Sequence, residues 1–198
     1  MRHVFALGAA VASAALLSSS AGAAVIVYTA ALSGPAESPA NASPGTGFST
    51  VTIDTVADTM RVEVSFTGLT GTTTASHIHG PTAVAGAGTG GVATITPTFT
   101  SFPLGVTSGT YDFTYGLSTN PGTYNPAFVT ANGGTATSAR TAFLQALADG
   151  KAYLNIHTST FGGGEIRGFL TVPEPATLTA FAVAAVSLLT RRRQTTSI

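Results

Sequence analysis

The sequence predicts an all-β fold: an antiparallel Greek-key β-sandwich or barrel carrying one short helix. Three observations support it. Apolar and polar residues alternate with period two in several short runs. Thr, a β-branched residue suited to a pleated surface, occurs 34 times in 198 residues. Connectors rich in Gly, Pro and Asn separate the runs, as at 33–47 and 120–134. No internal repeat is visible at the period of about 20–50 residues that a propeller or solenoid needs.

Taken in chain order, residues 1–23 read as a signal peptide. Arg2 and His3 give a positive start, 4–17 form an apolar run, and Ala21-Gly22-Ala23 is a small-x-small site for signal peptidase. That run is too short for a membrane span. The body, 24–172, is then one domain, long enough for a single core. It holds four basic and seven acidic side chains, a net −3. Met60, Val62, Val64 and Phe66 alternate with Arg61, Glu63 and Ser65, which places the charges outward on a half-buried strand. Tyr111, Phe113 and Tyr115 do the same around Asp112 and Thr114. Further strands are expected at 25–32, 48–53, 92–99, 153–157 and 165–172. One segment changes period. Ala139, Phe143, Ala146 and Leu147 recur at helical spacing, and Gly150 is a natural stop, so a helix is predicted over 138–149.

The composition also excludes functions. With no Cys, there are no disulfides, thiolate metal sites or Cys nucleophiles. Charged residues are only 8% of the chain, against about 25% in an average soluble domain, which argues against a nucleic-acid binder working through a basic patch. The Gly-rich tract 86–91 lacks the following Lys-Ser/Thr of a phosphate loop, and no G-x-S-x-G occurs. No catalytic residue is assigned, and the chain is expected not to be an enzyme.

The chemistry-bearing residues cluster. His77 and His79 are two apart, so a strand there projects both imidazoles from one face and Ile78 from the other. A second strand puts Tyr153, Asn155 and His157 on one face. Three imidazoles suit copper or zinc, and His77, His79 and His157 are the candidate metal ligands. The other reading is that they bond backbone carbonyls and organise a polar corner. Asn155, Glu165 and Arg167 are the expected supporting residues. Glu165 and Arg167, two apart, would form a salt bridge near the sheet rim or steady His157.

After the body, Pro173-Glu174-Pro175 precedes the apolar stretch 176–190 and the cluster Arg191-Arg192-Arg193. The stretch is about 22 Å long as a helix, short for a bilayer core of about 30 Å. Three Arg would hold the C-terminus on the cytoplasmic side and leave the body outside. Over 173–198 these parts, in this order, resemble a PEP-CTERM sorting signal with a transmembrane helix. The resemblance implies recognition by an exosortase, processing near Pro173 to Pro175, and a host making exopolysaccharide. An ordinary stop-transfer anchor is the alternative.

The body resembles a CHRD domain. The matching residues are Ala31-Leu32-Ser33-Gly34 with Glu37 and Pro39, Gly68-Leu69, His77-Ile78-His79-Gly80, Gly91-Val92, Leu147 with Gly150, Tyr153 through Thr158, and Gly164-Glu165-Ile166-Arg167-Gly168. Phe169 departs from the Gln usual there, and the insert 116–134 is looser than the family pattern. The resemblance brings no agreed catalytic activity. It implies a secreted or cell-envelope protein, a binding or structural component of the extracellular matrix with exopolysaccharide or envelope proteins as partners. The alternative is a copper- or zinc-binding, redox-active protein, and the H-x-H strand resembles that of Cu/Zn superoxide dismutases by analogy of fold.

Overall fold

Seven strands and two helices make up the computed structural model, which describes residues 25–173. The strands are β1 (Val25–Ser33), β2 (Thr46–Asp54), β3 (Thr59–Thr67), β4 (Thr73–His79), β5 (Gly109–Gly116), β6 (Tyr153–Thr158) and β7 (Ile166–Phe169). The helices are α1 (Pro126–Ala131) and α2 (Ala136–Ala148). The predicted signal peptide lies outside the described residues, as do Glu174, Pro175, the apolar stretch and the Arg cluster of the predicted sorting signal. Among the described residues no helix is long and apolar enough to cross a membrane.

The strands form one antiparallel sheet in the order β4-β6-β7-β1-β2-β3-β5. This corrects the sandwich expectation: instead of two stacked sheets, one curled sheet wraps its own core. The period-two runs set which face is inside. Leu32, Val51, Ile53, Val62, Ile78, Leu154, Ile156 and Ile166 are all nearly or wholly buried. On the opposite face Arg61 pairs with Asp112 at 2.6 Å and with Glu63 at 3.0 Å, the outward charges the alternation predicted.

The helix predicted at 138–149 is α2. Thr135 caps it, its hydroxyl accepting from the Ser138 amide at 3.1 Å while the Ser138 hydroxyl accepts from the Thr135 amide. The four residues at helical spacing are its buried face. Arg140 anchors it to Asp58 at 2.5 Å. Residues 116–134, the insert that departs from the family pattern, carry a 3-10 turn and α1, with Tyr124 and Phe128 packed into the core.

Residues 92–99 correct the strand expectation there. They run irregularly along the outer edge of β4 and satisfy it in pieces. The Ala93 and Phe99 amides donate to the Ile78 and Ser76 carbonyls. The Ile78 amide reaches the Thr94 hydroxyl and the Ser76 amide the Thr98 hydroxyl, both at 2.9 Å. Thr side chains thus replace a ladder strand and blunt an edge that would otherwise be open to pairing. The opposite end of the sheet is drawn in by the residue that follows this segment: the Tyr115 hydroxyl accepts from the Thr100 amide at 2.9 Å.

β7 is shorter than the 165–172 run, and Glu165 precedes it. It approaches β1 closely at Gly168, where a Cβ would run into the Ala31 carbonyl.

Candidate metal centre

Register brings the three His together. β4 pairs β6 with His77 opposite Asn155 and His79 opposite Tyr153, while His157 stands opposite Ala75. Alternation sends all three imidazoles to the face away from the core, where the loops around residues 90, 97 and 162 meet them. The ring centroids are 5.7 Å apart for His77–His79, 5.3 Å for His77–His157 and 5.7 Å for His79–His157. One ring nitrogen from each lies within 4.8 Å of the other two.

Each imidazole spends one nitrogen on a backbone carbonyl. His77 Nε2 donates to Pro97 at 2.6 Å, His79 Nδ1 to Gly90 at 3.1 Å and His157 Nδ1 to Gly162 at 3.0 Å. Those bonds fix the tautomers, because a ring N–H must face each carbonyl. His77 Nδ1, His79 Nε2 and His157 Nε2 remain as lone-pair nitrogens, buried and without partners. Three orphaned acceptors in one place need an explanation, and a cation supplies one. Such carbonyl contacts also orient imidazoles that bind a metal.

The environment keeps the rings neutral. Burial depresses all three His below the usual imidazole range, and pushes His79 down to about 4. For His79 the neighbouring His and the Arg167 guanidinium add to the effect. Neutral imidazole is the ligating form.

Behind the His lies a second polar layer. Tyr153 stacks on His79, centroids 5.0 Å apart and planes within 8°. The Arg167 guanidinium sits 4.7 Å over the other partner in this stack, the Tyr153 ring. Arg167 also donates to the carbonyls of Ala36 at 2.5 Å and Gly88 at 3.0 Å, and faces Glu37 at 3.7 Å. Phe169 packs against Tyr153 at 5.3 Å, an aromatic brace in place of a polar group. Burial raises the Glu37 carboxyl to about 7 against the opposing pull of Arg167.

The expected Glu165–Arg167 salt bridge is corrected by this arrangement. The two side chains have separate partners because Glu165 sits before β7, in the loop, and turns towards residues 43, 70–71 and 158. Its Oε1 accepts from Ser43 Oγ at 2.6 Å and the Thr70 amide at 2.5 Å; its Oε2 accepts from Thr158 Oγ1 at 2.6 Å and the Gly71 amide at 3.1 Å. Neither Glu165 nor Arg167 bonds to His157, whose ring is held by Gly162. Asn155 lies beside Gly164 and Glu37, with its Oδ1 unpartnered.

Sequence reasoning named the three His and the option that their rings bond backbone carbonyls, without saying which carbonyls. The carbonyls come from Pro97, Gly90 and Gly162, and backbone acceptors leave no side-chain signature. The Gly-rich tract dismissed as a phosphate loop supplies two carbonyls, Gly88 for Arg167 and Gly90 for His79.

Comparison with known families finds that the CHRD domain matches residues 28–170. No curated protein and no solved structure matches the chain.

Proposed function

The chain belongs to the CHRD domain family, whose members are typically secreted or extracellular, and from that premise we propose an exported protein of the cell envelope that binds rather than catalyses. Its best-built binding site is the three-His centre, and its ligand is a copper or zinc ion. The observation that carries this reading is the set of three buried, unpartnered imidazole nitrogens, each on a ring held by a carbonyl through its other nitrogen. Imidazole is a donor type that suits both metals. Calorimetric titration of the purified protein with Cu²⁺ and Zn²⁺ tests it. One ion per chain, lost in His79→Ala, is the expected result; no heat above buffer would leave the His as structural groups.

The two ends support export. The signal peptide and the Pro173-Glu174-Pro175 to Arg193 segment read as an entry signal and a sorting signal, with signal peptidase and an exosortase as processing enzymes. Exopolysaccharide and envelope proteins are the proposed partners in the matrix. Cell fractionation checks this, and a wholly cytoplasmic pool would refute it. The redox alternative is separated by assaying copper-loaded protein for superoxide dismutation and oxidase activity. Background rates support binding alone.

A further inference from the structure

We propose that the three-His centre is built for monovalent copper, Cu⁺, held by three imidazoles, in preference to a divalent ion. This rests on the metal reading above and narrows it to one ion.

Charge is the first argument. The donor set is three neutral imidazoles, and no carboxylate joins it among the described residues. A bound ion therefore keeps its full charge in a buried place. The cost of burying a charge grows as its square, so a dication is about four times as expensive as a monocation before ligation. Arg167, stacked on the Tyr153 ring that itself stacks on His79, adds a fixed positive charge to the surroundings. Glu37, the carboxylate of this layer, is turned to Arg167.

Coordination number is the second. A Zn²⁺ ion on three His completes its tetrahedron with water, and that water needs polar partners of its own. Here the carbonyls of Pro97, Gly90 and Gly162 already accept from the rings, and the three free nitrogens have no access to solvent. Cu⁺, with a single charge to satisfy, is content with three nitrogen donors and no water.

Geometry permits the ion. If the three nitrogens stood at the full 4.8 Å from one another, the centre of their triangle would lie about 2.8 Å from each. A metal–imidazole bond is about 2.0 Å. Inward movement of under 1 Å per ring closes the difference, within the play of a hydrogen-bonded side chain.

The test is a set of competitions on the purified chain. Bicinchoninate competes for Cu⁺ anaerobically with ascorbate present, while zincon competes for Zn²⁺ and glycine for Cu²⁺. The expected outcome is one Cu⁺ per chain with a dissociation constant at least about 100-fold below that of either dication. X-ray absorption at the copper edge should report three nitrogen neighbours. His157→Gln should abolish Cu⁺ retention while the far-UV circular dichroism stays that of a β protein; a variant that folds and keeps Cu⁺ overturns the site. Tighter binding of Zn²⁺ or Cu²⁺ than of Cu⁺, or a fourth ligand at the edge, overturns the preference and leaves the metal reading standing. Retention of no metal at all overturns both.

Discussion

Glu165 stands immediately before β7. It is fully buried, with two donors on each oxygen. Burial works to raise its pKa, but the donors from Ser43, Thr158, Thr70 and Gly71 together outweigh it and hold the carboxyl below its usual value. A lowered folded pKa contributes stability that is present above the unfolded value and lost as pH falls through the folded one. Glu165→Gln keeps the shape but turns an amide NH₂ towards donors, and should cost about 2–4 kcal/mol in urea unfolding at pH 7. Glu37 has the opposite sign. Its raised pKa, about 7, contributes stability present below the unfolded value near 4.5 and lost as pH rises through 7. Glu37→Gln should therefore gain on the wild type between pH 5 and pH 8 when melting temperatures are compared. A constant difference across that range would refute the shift. The sequence exposes such carboxylates as residue types only; three of the four donors to Glu165, at Ser43, Thr70 and Gly71, lie more than 90 positions away.

At the scale of elements, the irregular segment on β4 is the least legible part. Its Val, Ile and Thr content looks like a strand, yet Pro97 has no amide to give a ladder, and the segment instead uses Thr hydroxyls and scattered amides. Thr94→Val removes the acceptor for the buried Ile78 amide and should cost about 1–3 kcal/mol by chemical denaturation. The same change uncovers strand edge, so light scattering should show faster aggregation on warming. Helix α2 was legible because its signal is local: a buried face of four residues and Gly150 at φ +65° lie in one stretch. The turn at Gly164 was not. Its φ is +130°, and a Cβ there would meet Asn155 at 2.5 Å and Glu37 Oε1 at 2.7 Å. Gly164→Ala should displace Asn155 and lower the melting temperature by several degrees, on the order of 1–3 kcal/mol.

Across the whole molecule, the sequence yields the all-β class and most strand positions because period two is written in adjacent residues. Strand order is a property of distant pairs, and nothing in the alternation says that β4 leaves β3 to pair with β6. The convergence of the His depended on that one pairing. The two halves of the sheet also differ in how far their partners lie along the chain. β1, β2 and β3 follow one another as neighbours, whereas β1 meets the far end of the domain through Ser33 with Arg167 of β7 and Thr29 with Thr171 just beyond it, about 140 residues apart. Closing a loop of that size carries the larger entropy cost and comes after local hairpins. The β1–β2–β3 meander can therefore zip up while the rest of the chain is still being delivered. The seam to β7 must wait for the last residues of the domain, and the His77–His157 neighbourhood must wait for β6 to pair with β4. On the metal reading proposed above, uptake would come last: an ion offered to a half-delivered chain would find imidazoles but no pocket, and only a finished molecule could be charged.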